Sequence, residues 1–514
     1  MKKALLILLV LFIHAVIYAQ DNMPAFGKVD VADLELKECV FDKGAAAMGL
    51  IKTEDIKVSI DENTHVLKTN TEYRVRIKIF TESGFSNASI VIPYSTSRSA
   101  KMTDIDAYIY NLDDQGKIVM QKVDKNQIFN EKSKSKKSSH SIRFTFPGLK
   151  KGSIIEYRYA REDKNSVDIH PWFFQEEIPS LFSQCIITMP VYMQISYHFA
   201  GTMPMEKDSS YIRNSNSQYL DYQQSFTMRA VPAFRPEPFM SSFKDNLQRI
   251  EFAVSSKNIL TTSGAKFRWA LYNDMLLGSP FFGLQFRQNV PSATLFVDSV
   301  RTLWHAEDKI STVYNYVKRN INWNGEQTFF SEDINACLKD KSGSSAEMNI
   351  LLINLLRKTG IACYPLLIST RENGRLDQSF PSLGQFNGVD VLVINGDQVY
   401  VLDCVQKNLS YKTTPFNILN CDAMLVDRSN SKWVHIADSR VLMNTELSLN
   451  AKIDSTGVMS GAADVKFSGI AKAEIIGEEQ KDEKEKANTR DLIDEDATDL
   501  KIDSSLVLHH DEGV

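Results

Sequence analysis

The chain has 514 residues, 43% of them apolar and 24% charged, with a formal net charge of −5. That length exceeds what one hydrophobic core supports, so about two to four domains are expected. The acidic balance, without a basic stripe, excludes nucleic acid as a partner, and the composition is that of an ordinary globular protein.

The first residues, MKKALLILLVLFIHAVIYAQ, join Lys2 and Lys3 to an apolar run ending near Ala19. This pattern predicts a secretory signal peptide over 1–19. The first cysteine is Cys39, too far from that site for a lipoprotein. No later apolar run reaches the ~20 residues of a spanning helix, so the mature chain is expected to lack one. The six cysteines (Cys39, Cys185, Cys337, Cys363, Cys404 and Cys421) show no CxxC spacing. No metal and no cofactor is therefore expected, and the thiols read as free and buried in strands.

From Val58 to Ala200 the pattern is β. In YRVRIKIF, Tyr73, Val75, Ile77 and Ile79 alternate with Arg74, Arg76 and Lys78, as in a strand with one face in water. Similar short segments follow, and EKSKSKKSSH (Glu131 to His140) reads as a solvated hairpin loop between two of them. The aromatic knot HPWFFQEEIP reads as core packing. The strand spacing predicts a β-sandwich over 20–235. Pro232, Pro236 and Pro238 make an extended connector and place a boundary there.

Over 236–430 the pattern is mixed. Ile310, Val313, Val317 and Ile321 share one helix face. KSGSSAEMNILLINLLRK then opens a helix apolar on nearly every side, with Ser344 and Glu347 at capping-box spacing. The strand ACYPLLIS follows, then VLVINGDQVYVLD, whose Asn395-Gly396 marks a two-residue hairpin turn. That turn pairs Ile394 with Asp397 and Leu392 with Val399, and sets Gly388 opposite Asp403. After Ser431, ELSLNAKI and GAADVKFSGIA read as strands, and the run Glu478 to Lys486 as a solvated helix or linker. Residues 431–514 are thus expected to form the start of a C-terminal β domain with a charged helix. The fold class is multidomain α+β.

The serine-rich helix start is where thiol acyl-transfer enzymes keep a nucleophile, because the helix N-terminus stabilises a thiolate and an oxyanion. Such an enzyme also needs a histidine beside the sulfur and a carboxylate to orient it. Here the tip carries Ser344 and Ser345, and no histidine lies between His305 and His435. Cys404 and Cys363, the nearest thiols, have no visible activator. Asp390 shares a face with Gly388 and can join Asp403 as a carboxylate pair, while Gln385 and Asn387 offer amides to a ligand.

Between Lys309 and Val426 the chain resembles the transglutaminase-like superfamily, whose core is related to papain-like cysteine peptidases. KSGSSAEMNILLINLLRKTGIACYPLLIST, QFNGVDVLV and VYVLDCV carry the resemblance. In active members these motifs hold the nucleophilic cysteine, the histidine and the aspartate. Residue by residue, those positions are Ser345, Gly388 and Asp403, so the first two are replaced. Upstream, FTFPGLKKGSIIEYRY and DIHPWFFQEEIPSLFSQCIITMP resemble the β domain of unknown function that precedes such cores in exported bacterial proteins.

The resemblance implies an N-terminal β-sandwich followed by a papain/transglutaminase-like α+β core, exported to the periplasm or envelope of a Gram-negative cell. Losing nucleophile and base costs on the order of 10⁶ in turnover. The expected function is therefore that of a pseudoenzyme, an interaction scaffold whose cleft binds a peptide or protein at Ser344, Ser345, Gln385, Asn387, Asp390 and Asp403. Free N–H groups at the helix tip would hold an anionic or carbonyl group. One alternative is an active transglutaminase or cysteine- or serine-type peptidase with a relocated base, His305 or His435, beside Ser345. The other is a structural envelope module with Phe386 or Tyr411 plugging the cleft.

Overall fold

Alternation of apolar and polar residues makes long strands in the N-terminal half, and eight of them form one sheet. They are β1 (Ala47–Ile60), β2 (Leu67–Ile79), β3 (Lys101–Leu112), β4 (Ile118–Lys122), β5 (Ile154–Lys164), β6 (Ser180–Pro190), β7 (Glu206–Arg213) and β8 (Leu220–Val231). Their order is β7-β8-β6-β1-β2-β5-β3-β4. Only the pair β1–β6 is parallel. The computed structural model describes residues 23–479, 501–504 and 506, apart from 61–63, 65, 96–99, 133–138, 165–168, 214–219, 238–239, 257–264, 430 and 439–442. The expected signal peptide and most of the basic loop at 131–140 lie outside these residues.

By its contacts the chain divides into Met1–Pro238 with Leu247–Leu260, and Phe239–Asn246 with Thr261–Val514. In the first unit, two three-stranded sheets pack on the same face of the large one. Ser89–Ser95, Phe129–Lys132 and Ser139–Thr145 bury Ile90, Ile142 and Phe144 against Val75 and Ile77. Trp172–Phe173, Met193–Ala200 and Arg249–Ser256 bury Trp172, Ile250 and Phe252 against Ile56, Ile187 and Phe226. The chain re-enters this unit after the proline-rich connector, because Arg249–Ser256 pairs along Met193–Ala200.

The opposite face departs from the expectation of a water-facing cationic row. Arg76 and Lys78 are both 0% exposed. The segment Met23–Glu35 lies across them, and Leu34 joins Met48, Leu50, Phe80 and Ile154 in a second core. Its carbonyls take the charged donors: Arg74 Nη2 to Pro24 O at 2.6 Å, Arg76 Nη2 to Lys28 O at 2.6 Å, and Lys78 Nζ to Leu34 O. Buried charge persists only when paired, and Glu156, itself fully buried, accepts from both arginines.

In the second unit, helix α1 (Ala306–Asn320) buries Ile310, Val313 and Val317 in one stripe, with Ile321 at its end. Helix α2 (Ser345–Lys358) is buried over Ser345, Ala346 and most of its length, so it sits inside the core rather than on it. It packs against a five-stranded antiparallel sheet of β9 (Cys363–Ile368), β10 (Gly388–Asn395), β11 (Gln398–Leu402), β12 (Cys421–Leu425) and β13 (Lys432–Ile436), in the order β11-β10-β9-β12-β13. Further on, Met443–Ile453 and Met459–Gly469 form a hairpin. The segment read as strand through Ala471 turns helical at Ile470, and that helix runs to Glu479. The rest of the charged run to Lys486 lies outside the described residues. Among the described residues no helix is long and apolar enough to cross a membrane.

Candidate functional site

The start of α2 is built as the sequence predicts. Ser344 caps it, accepting from Glu347 N at 3.3 Å, while Glu347 Oε2 accepts from Ser344 N at 2.8 Å. Ser345 is 1% exposed and its hydroxyl is used in both directions. It donates to Thr328 O and accepts from Thr328 N, each at 2.9 Å. Ser345 N donates to Glu326 O at 3.0 Å. The N–H groups of Ser345 and Glu347 are therefore occupied by the chain itself, which leaves fewer free donors at the tip than expected. The segment Glu326–Thr328 closes the tip.

Gly388 does not face Asp403. It pairs with Ile368 on β9. A Cβ built there would lie 2.7 Å from Gln327 Nε2 and 3.0 Å from the Ile368 side chain. Any side chain at 388 would therefore require the Gln327 amide, the end of a flexible side chain, to shift. The hairpin register explains the displacement. Asn395 pairs with Gln398 and Ile394 with Val399, so the two-residue loop is Gly396-Asp397. Gly396, at φ +59°, takes the first central position of the turn; glycine there defines the type II′ turn, whereas the predicted Asn-Gly loop is type I′. Moving the loop by one residue slides the partner strand by two.

The last ladder pair is Val391 with Leu402, and one step further out stand Asp390 and Asp403. Asn349, four residues into α2 from Ser345 and on the same face, ties them together. Its Nδ2 donates to Asp403 Oδ1 at 2.9 Å, Val389 O at 2.9 Å and Asp390 Oδ1 at 3.4 Å. Its Oδ1 accepts from Cys404 N at 2.9 Å. Burial pushes both carboxyls upward. Asp390 rises well above the usual range, with the Asp403 charge adding to burial, and its Oδ2 has no partner. Asp403 rises less because Val405 N–H and Asn349 hold its charge. Both carboxyls are buried, Asp390 at 3% and Asp403 at 6% exposure.

The other expected ligand groups are joints. Gln385 Oε1 accepts from Asp377 N at 2.6 Å and its Nε2 donates to Phe380 O. Asn387 exchanges two 2.9 Å hydrogen bonds with Thr370. His435 is half in solvent and bonds Asp422 Oδ1 at 2.9 Å, while His305 is exposed before α1. Neither shares a hydrogen bond with Ser345. Phe386 packs on Trp269, Trp433 and Phe329, the residue after Thr328, and Tyr411 packs on Tyr400. None of the six cysteines is paired and five are buried. Burial pushes the Cys404 thiol well up and that of Cys363 to about 11. Among the described residues no cluster of His, Cys, Asp or Glu could hold a metal ion.

Tyr314 and Lys318 of α1 complete this polar interior, donating to Asp403 O and Leu409 O respectively. Burial lowers the Lys318 ammonium to about 8, against Cys404 and Asp403, which oppose the shift. An unfolded lysine keeps its proton to about pH 10.4. Between these values unfolding takes up a proton, so this group makes stability rise with pH. Lys318→Met is expected to remove that rise. The check is hydrogen exchange of α1 at about pH 7.5 and 9.5, because Lys78 in the first unit, also lowered to about 8, titrates alike.

A family model described as a domain of unknown function with solved structure, DUF3857, matches residues 68–235. None of the curated proteins matches the chain. Among solved structures, one from Parabacteroides distasonis described as a "putative protease" is similar in fold, with a TM-score of 0.57 at 14% identity. The likeness covers 76% of this chain and 72% of that one.

Proposed function

We propose that the second unit is a transglutaminase-like core retired from acyl transfer, and that the protein serves as an exported interaction scaffold. The observation that carries this reading is the Ser345 hydroxyl, bonded both ways to Thr328 and shut from solvent. A nucleophile needs a base within hydrogen-bond reach. Ser345 has a backbone amide and carbonyl instead, and the Gln327 amide lies against Gly388, where the resemblance would set the base. The likeness in fold to a protein described as a protease supports the ancestry, not the activity. A peptide held at the helix tip would have to displace Glu326–Thr328, so the reading assigns binding to other surfaces.

The test is assay of the full chain for peptide hydrolysis and for incorporation of a primary amine into a glutamine-bearing protein. No turnover is expected, and Ser345→Ala is expected only to lower stability by about 1 kcal/mol through the lost hydroxyl bonds. Turnover by the wild type that Ser345→Ala abolishes would overturn the proposal.

A further inference from the structure

The first unit gathers a carboxylate and three phenol groups on one face of its large sheet. Register sets Glu54 of β1 between Cys185 of β6 and Tyr73 of β2, with Tyr159 of β5 next in the row. One row along are Ser183, Lys52, Val75 and Tyr157. This face is the one both small sheets cover, and Tyr73 packs against both of their cores, so the rows lie at the seam between them. Glu54, Tyr73, Tyr157 and Tyr159 all remain partly exposed there. The Tyr73 ring lies 5.1 Å from that of Tyr159 and 5.9 Å from that of Trp172.

The neighbouring charges are already matched. Lys52 pairs with Glu176, donates to Phe173 O at 2.9 Å and stands 4.6 Å over the Trp172 ring. Arg161 pairs with Asp163 at 2.7 Å. Glu54 is different: among the described residues none donates a hydrogen bond to its carboxylate, and none bonds the hydroxyls of Tyr73, Tyr157 or Tyr159. Burial, against the pull of Lys52 and Arg161, raises Glu54 to about 7. The uncompensated charge of the seam is thus one carboxylate, framed by phenol oxygens and by ring faces that attract cations.

We propose that this seam binds an alkylammonium group, with Glu54 as its counter-ion and Tyr73, Tyr157 and Tyr159 as its acceptors and aromatic wall. An ammonium brings three donors to the carboxylate and phenol oxygens, and it supplies the missing charge. Such a group comes either on a lysine side chain of another protein or on a free polyamine. The site is independent of the second unit and of whether that unit has lost its chemistry.

The groups facing Glu54 are Tyr73 and Tyr159 of the adjoining strands, Cys185, Lys52 with Glu176, and Arg161 with Asp163. Glu54 is raised to about 7, so binding should strengthen as pH rises through that value. Calorimetric titration of the full chain with spermidine, and separately with an end-blocked lysine tripeptide, tests the proposal. At least one probe is expected to bind about tenfold more tightly at pH 8 than at pH 6, following the ionised fraction of Glu54. The tighter probe assigns the source. Glu54→Gln is expected to lose about tenfold at pH 8 and all of the pH dependence. Tyr159→Phe, which keeps the ring, should lose a smaller factor with the fold intact. Absence of binding by both probes, or binding indifferent to Glu54→Gln, would overturn the site.

Discussion

Replacing Glu156 by alanine is expected to destabilise the first unit by about 3–5 kcal/mol, the range for breaking a buried ion pair by removing one partner. The carboxylate accepts from Arg74 at 2.7 and 3.0 Å, Arg76 at 3.1 Å, Tyr110 Oη at 2.9 Å and Gly27 N at 3.1 Å. Without it, Arg76 stays buried with Lys28 O as its close acceptor and Asp33 only at 4.0 Å. Arg74 can turn towards solvent; Arg76 cannot. The double variant Arg76→Met, Glu156→Leu is therefore expected to recover part of the loss, since an apolar replacement of a buried pair is often neutral. Denaturant unfolding, with hydrogen exchange of β2 and β5 to localise the effect, measures both. A Glu156→Ala cost below ~1 kcal/mol would mean that water enters and solvates the arginines.

Asn349→Leu should be nearly as costly in the second unit, about 3 kcal/mol or more. The new side chain fits an apolar helix, yet it strands Cys404 N–H and Val389 C=O and takes a donor from Asp403. Each buried group left unsatisfied costs ~1–3 kcal/mol. Asn349→Asp keeps the shape and adds a third carboxyl to Asp390 and Asp403. Those two are already raised, so the native state holds protons that the unfolded chain releases, and their contribution falls as pH rises above the ordinary carboxylate range. Asn349→Asp is expected to steepen that fall, so its deficit grows between about pH 4 and 7. Thermal melts of the two variants across that range separate the lost hydrogen bonds from the added charge.

Local patterns carried much of this structure. The stripe on α1 and the capping box at Ser344 follow from spacing alone, because both are set within one helix turn or two. The strand Leu67–Ile79 was legible as a strand, but not as one buried on both sides. Nothing within YRVRIKIF announces that Met23–Glu35 will cover its cationic row. The hairpin was legible and its register was not, since Asn395-Gly396 and Gly396-Asp397 are both good turn pairs, and the choice between them moved Gly388 away from Asp403. Asn349 carries a legible signal, as the one of two amides in an apolar helix that shares the face of Ser345. Thr328 and Gln327 had none, because a loop that closes a helix tip is positioned by tertiary contacts.

The covering of the cationic row by Met23–Glu35 also bears on when this unit can fold. Gly27 meets Glu156 across 129 residues of chain, Arg76 meets it across 80, and β1 completes its pairing only on Ser180–Thr188. At ~5–20 residues per second, synthesis needs roughly 6–26 s to supply Glu156 after Gly27 has emerged. Such long-range closure also places folding in the slow, ms-to-s class of β-rich domains. The segment Met23–Glu35 thus cannot take its place until Glu156 and Ser180 have been made, and for that interval the N-terminal half remains an unfolded chain.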